Sequence, residues 1–143
     1  MLHLPLARLG ALLALVAGVV PGQVLDAQAP DKRPSLALRV TPQVAFAPAK
    51  VVVRAEIRGG PEDNEHLYCP TVEWVWGDGT TSENSADCEP YEAGKSQIRR
   101  RFSAEHTFRN AGQFRVVLRL KKGGRIVGMA NAVLQVRPGA FGG

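Results

Sequence analysis

Residues 50–58 read KVVVRAEIR, and this stretch decides the fold. Val51, Val53, Ala55 and Ile57 fall on one side of an extended chain, while Lys50, Val52, Arg54, Glu56 and Arg58 fall on the other. A period of two is the mark of a strand with one buried and one wet face. The same alternation recurs on both sides of it. Leu36, Leu38 and Val40 share a face upstream; downstream Val72, Trp74 and Trp76 do so, then Phe114, Val116, Leu118 and Leu120, and finally Ala130, Ala132, Leu134 and Val136. Asp78-Gly79 and Gly123-Gly124 are tight-turn signals between these runs, because such turns need positive φ. No helical period is sustained beyond residue 30. Six or seven short strands within about 100 residues predict an all-β, antiparallel β-sandwich.

The whole chain has 143 residues, 45% hydrophobic and 22% charged, with 15 Gly and 10 Pro scattered along it. That length supports one domain with a sizeable core, and the composition excludes a collagen-like or disordered chain. Residues 1–27 have the form of an export signal: Arg8, an apolar run over residues 9–20, then small residues around Ala27. The run is shorter than the roughly 18 residues a spanning helix needs, so cleavage is expected rather than anchorage. The expected organisation is therefore a signal at 1–27, a flexible lead-in at 28–34, a sandwich at 35–137 and a glycine-rich tail at 138–143. The membrane enters only through the signal, and the protein is expected to be secreted or periplasmic.

Cys69 and Cys88 are the two cysteines, and in an oxidising compartment an even pair predicts a disulfide. Closing a loop of about 20 residues contributes about 3 kcal/mol in the chain-entropy account. A zinc site from His66, Cys69, Cys88 and His106 is the competing reading, but it has no recognised ligand spacing.

Around Trp74 the chain reads WVWGDGT, followed by EHTF at residues 105–108 and AGQFRVVLRL from Ala111. This order and spacing resembles the polycystic kidney disease (PKD) domain family, through Trp74, Trp76, Gly77, Asp78, Gly79, His106, Thr107, Phe108 and Gly112, with Phe114, Val116 and Leu118 following. The resemblance spans about residues 35–136. It implies an immunoglobulin-like sandwich of about seven strands and a non-catalytic module. Trp76 stands where the family usually has Phe, and Val75 where an acidic residue is common. Physical chemistry gives the motif its own rationale. The two tryptophans offer large areas to bury, the glycines let the chain reverse, and Asp78 can accept bonds from turn amides. His106 and Thr107 are expected at a corner where a strand crosses to the other sheet. An acid–base pairing of Asp78 with His106 is the alternative, and the resemblance implies a structural role instead.

Charge distribution is the most individual feature. The net charge is +5, but residues 59–94 hold no Lys or Arg and nine of the thirteen acidic residues. Once residues 1–27 are set aside, the window carries −9 and the remainder +14. Arg39, Arg54, Arg58, Arg99 and Arg101 are expected on outward positions of one sheet, where they could bind an anionic polymer. Arg100 then points inward beside Ile98 and Phe102, which predicts a bulge or a buried ion pair. The basic face lacks aromatics between its arginines, so it offers no platform for bases, and no specific nucleic-acid binding is expected. In the acidic window, Glu62, Asp63, Asn64, Glu65 and Asp87 are candidate calcium ligands without a D-x-D-x-D-G loop. No other cofactor is expected. Acidic window and basic sheet also suggest weak head-to-tail self-association. No G-x-S-x-G, H-E-x-x-H or convergent carboxylate pair is present, so no catalytic residue is assigned and no enzyme is expected. What remains is an interaction module for adhesion or docking to a protein or an anionic surface polysaccharide. A structural subunit of a cell-envelope assembly and a calcium-binding module are the alternatives.

Overall fold

Every alternating run becomes a strand. The computed structural model describes residues 33–140 together with Gly18. Apart from Gly18, the expected export signal lies outside the described residues, as do most of the lead-in and residues 141–143. The strands are β1 (Ser35–Thr41), β2 (Val44–Phe46), β3 (Ala49–Arg58), β4 (Thr71–Val75), β5 (Thr81–Asn84), β6 (Arg101–Phe108), β7 (Gly112–Lys122) and β8 (Arg125–Arg137). They form two sheets, β1-β3-β6 and β2-β8-β7-β4-β5, facing each other as an immunoglobulin-like sandwich.

Eight strands stand where six or seven are expected, and two of them, β2 and β5, show no alternation in the sequence. β2 is three residues and β5 is four wholly exposed residues, both too short to show a period. β2 also breaks the purely antiparallel expectation. After β1 pairs with β3, the chain switches sheets, and Val44, Ala45 and Phe46 lie parallel to Gln135, Val136 and Arg137 of β8. All other pairs among the described strands are antiparallel.

The alternation in β3 is realised residue by residue: Ala49, Val51, Val53, Ala55 and Ile57 are buried and their neighbours are not. Against them pack Phe102 and Phe108 of β6, Trp74 of β4, Val116, Leu118 and Leu120 of β7, and Leu134 and Val136 of β8. Each large aliphatic or aromatic side chain buried there contributes about 1.5–3 kcal/mol. The β7–β8 hairpin turns on Gly123 and Gly124, whose φ values of 56° and 77° give the right-handed strand twist its matching two-residue turn.

Gly139 passes so close to the Ala47 carbonyl that an added Cβ would sit 2.5 Å from the oxygen.

Candidate functional site

The Trp-Gly-Asp-Gly segment and the His-Thr-Phe segment meet at one end of the sandwich. Trp74 and Trp76 are buried and stacked at 5.9 Å between ring centroids. The Trp76 indole donates to Ser82 Oγ of β5 at 2.9 Å, which satisfies its one polar atom. His106 lies flat on Trp76 at 4.3 Å and meets Phe108 edge-on at 4.8 Å, and Phe108 stacks on Phe114 at 4.5 Å. This aromatic column joins the two sheets. As expected, His106 and Thr107 lie near the end of β6, opposite Val51 and Lys50 of β3, just before the chain crosses through residues 109–111 to β7 in the other sheet. A side-chain bond also spans the sheets here, because His106 Nε2 is 2.7 Å from Asp78 Oδ2 in the β4–β5 turn of the other sheet.

Both oxygens of Asp78 are engaged within the fold. Its Oδ1 accepts from the Thr80 amide at 3.0 Å and from the Thr80 hydroxyl. Burial pushes the carboxyl upward, but the Thr80 and His106 bonds outweigh it and hold the acid below its ordinary value. An open cleft of about 490 Å³ lies beside the pair, lined by Thr107, Arg109, Asn110 and Phe114 among others. Within it the Thr80 hydroxyl donates to Asp78. The pair acts as a clamp between the sheets.

The five predicted arginines do come together. Arg39, Arg54, Arg58, Arg99 and Arg101 line one shallow groove of about 680 Å³ on the outer face of the three-stranded sheet, with Ala37 and Ser103 among its small residues. Strand pairing sets their places. Arg39 and Arg54 are direct cross-strand partners, Glu56 faces Arg101, and Ser103 faces Arg54. Arg99 corrects its assignment, since it precedes β6 rather than lying in it. It reaches the groove because its Nε donates to the Arg101 carbonyl at 2.8 Å while its guanidinium lies 5.2 Å over the Phe102 ring. Glu56 sits amid the arginines, with Oε2 3.2 Å from Arg58 Nε and Oε1 3.8 Å from Arg101 Nε. Its outward position between Arg54 and Arg58 was the signal for it in the sequence. Arg39 and Arg54 have no carboxylate within 4 Å among the described residues.

Lysines behave differently. Lys50 pairs with Glu105, Lys95 with Glu92, and Lys121 with both Glu73 and Glu83, while Lys122 donates to the Glu65 and Tyr68 carbonyls. Every lysine among the described residues is thus engaged within the fold, and none lines the groove.

Arg100 also forms an ion pair, but at the edge of the sandwich and only partly buried. It bonds Glu62 at 2.7 Å and donates to the Ile57, Gly59 and Gly60 carbonyls, tying the start of the acidic segment to the end of β3.

The acidic window does not form one pole. Glu62 and Glu92 are paired with Arg100 and Lys95. Glu73 and Glu83 are cross-strand partners in the other sheet. The Lys121 bond, opposed by burial and helped by Arg119, lowers the Glu73 carboxyl below its usual value. Lys121 is raised by its bonds to Glu83 and then Glu73. Of the candidate calcium ligands, Glu62 turns to Arg100, while Asn64 Oδ1 accepts from the Leu67 amide at 3.3 Å. Among the described residues no three His, Cys, Asp or Glu side chains converge as a metal site requires. Asp63, Glu65 and Asp87 are not drawn into such a group.

Cys69 and Cys88 are joined in a disulfide, which removes the zinc reading by consuming both thiolates. Tyr68 and Tyr91 lie 5.5 Å apart beside it, their hydroxyls donating to the Glu89 and Asp63 carbonyls at 2.8 and 2.6 Å. Burial, then the Asp63 and Glu65 charges, push the Tyr91 phenol above its ordinary value.

No family model matches the chain, and no curated protein is similar to it. Among solved structures, the chain is similar to the CARDB domain of a Pyrococcus furiosus protein crystallised in complex with di-metal ions. Identity is 10%, the match covers 73% of this chain and 92% of that one, and the TM-score is 0.41.

Proposed function

We propose that this chain is an extracytoplasmic, non-catalytic binding module of PKD type whose three-stranded sheet docks on an anionic surface polysaccharide. The arginine groove carries the reading: five guanidinium groups gather on one face, and two of them stand opposite each other without a counter-charge. Like charges placed directly across a strand pair repel, and a polyanion laid along the groove relieves that repulsion. The Cys69–Cys88 bond supports an oxidising compartment, as the export signal expected at residues 1–27 does. The WGDG and HTF residues support the family resemblance, and their engagement in the aromatic column and the Asp78–His106 clamp supports a structural use of that motif.

The test is retention on heparin, a sulfated polysaccharide, at low salt. Arg54→Glu combined with Arg99→Glu is expected to abolish retention while leaving the thermal unfolding midpoint within a few degrees. Retention of the native protein is expected to fade as salt shortens the Debye length toward about 10 Å at 0.1 M. Undiminished retention of the double variant would refute the proposal.

A further inference from the structure

We infer that the arginine groove is built to take tetrahedral oxyanion esters, phosphate or sulfate, in preference to carboxylates, and that Glu56 is the positioning residue for it. This rests on the polysaccharide reading and adds to it the chemistry of the groups recognised.

A guanidinium group offers two bidentate edges: side-on through Nε and one Nη, and end-on through both Nη atoms. In three of the five arginines Nε is turned to the protein. Arg58 and Arg101 point theirs at Glu56, and Arg99 donates its own to the Arg101 carbonyl. None of the Nη groups of Arg39, Arg54, Arg58, Arg99 or Arg101 has a hydrogen-bond partner among the described residues. The side-on edges of Arg58 and Arg99 are therefore committed by hydrogen bonds, that of Arg101 is drawn toward Glu56 by charge at 3.8 Å, and the end-on edges are left for a ligand. Glu56 spans two of these arginines with its two oxygens, so one carboxylate sets the direction of both.

Planar carboxylates have two oxygens and are satisfied by a single fork. A phosphate or sulfate ester has two or three terminal oxygens disposed tetrahedrally, so several forks on neighbouring strands can bind it together. Side-by-side placement of Arg39 with Arg54, and of Arg101 diagonal to Arg54, supplies such neighbours. The absence of lysine from the groove has the same sense, because an ammonium group acts as a point charge and does not distinguish these geometries. A glutamate inside an anion site costs attraction. Its two Nε contacts account for its presence where simple charge balance does not.

The experiment uses three derivatives of one backbone, dextran sulfate, dextran phosphate and carboxymethyl dextran, matched in charges per sugar and measured by calorimetry at low salt. The native protein is expected to bind the sulfate or the phosphate form at least tenfold more tightly than the carboxylated form. Comparing the two ester arms identifies which ester is preferred. A ratio below tenfold for both esters overturns the inference while the polysaccharide reading stands; failure to bind any of the three overturns both. Glu56→Ala is expected to bring the ratio close to one even though it removes a negative charge from the groove. Glu56→Gln, whose single amide oxygen can accept from one Nε while its NH2 group cannot accept from the other, is expected to give a ratio between those of the native protein and Glu56→Ala. A tenfold preference surviving in Glu56→Ala overturns the positioning role, and the unfolding midpoint of each variant separates lost preference from lost fold.

Discussion

Replacing both Cys69 and Cys88 by serine isolates the contribution of the cross-link. The cysteines are 19 residues apart, and closing a loop of that length removes about 11 cal/mol/K of chain entropy from the unfolded ensemble. At 25 °C this is about 3 kcal/mol, which corresponds to a fall of about 15 °C in unfolding midpoint for a domain of this size. The folded side of the balance is expected to change little. Tyr68 and Tyr91 still bond the Glu89 and Asp63 carbonyls, and Arg100 still holds Glu62, so the loop keeps its native ties without the sulfur bridge. The loss should therefore arise mainly in the unfolded chain, which becomes more expanded. Urea titrations of native and double-serine proteins at pH 7 read both quantities: the midpoint falls and the m-value rises. A loss below about 1 kcal/mol with an unchanged m-value would refute this account, since it would mean that the unfolded chain is already constrained across residues 69–88.

Two further outcomes follow from the β4–β5 turn. Gly77→Ala is expected to cost about 2–4 kcal/mol, because its φ of 86° is strained for a side chain and the new Cβ would lie 2.6 Å from the Arg115 carbonyl; Gly79→Ala, at φ 88° with open space around it, should cost only about 1–2 kcal/mol, and equal losses by thermal melting would contradict the close approach. Asp78 has a lowered folded-state pKa, so its contribution is present above its unfolded value of about 3.9 and is lost as pH falls through the lower folded value. The stability gap between the native protein and Asp78→Asn, measured by urea unfolding, should accordingly be largest near neutrality and shrink as pH falls below 4; a gap independent of pH would count against the carboxylate's role.

How much could be read in advance follows from residue spacing. β3, β7 and the later part of β8 announce themselves because alternating burial leaves a period of two, and Gly123-Gly124 marks their hairpin. β2 and β5 were not legible. Three and four residues carry no period, and β5 is fixed by its hairpin pairing with β4 and by the Trp76–Ser82 bond, which no alternation announces. The arginine groove was legible as a face, since outward positions on paired strands share a side. Its inner arrangement was not. Arg99 lies outside the strand and is placed by Phe102 and a carbonyl, and Glu56 gains its position from an arginine 45 residues away. The acidic window misled because sequence proximity gathers charges that the fold distributes: Glu73 and Glu83 face Lys121 on one sheet, while Glu62 is bound at the far edge by Arg100.

The parallel seating of β2 on β8 has a mechanical consequence. Val44 enters its strand at the end next to Gln135, and the chain leaves β8 after Arg137 at the opposite end, with the Gln135–Gln43 and Ala47–Arg137 backbone bonds, each 2.8 Å, bracketing the contact. Tension entering through β2 and leaving through β8 therefore acts along the two strands in opposite directions. The bracketing bonds bear it in shear and share the load, instead of opening in succession as they would at the free end of a hairpin. Force applied to the chain from its N-terminal side meets β1 and its pairing with β3 first, and this short strand next.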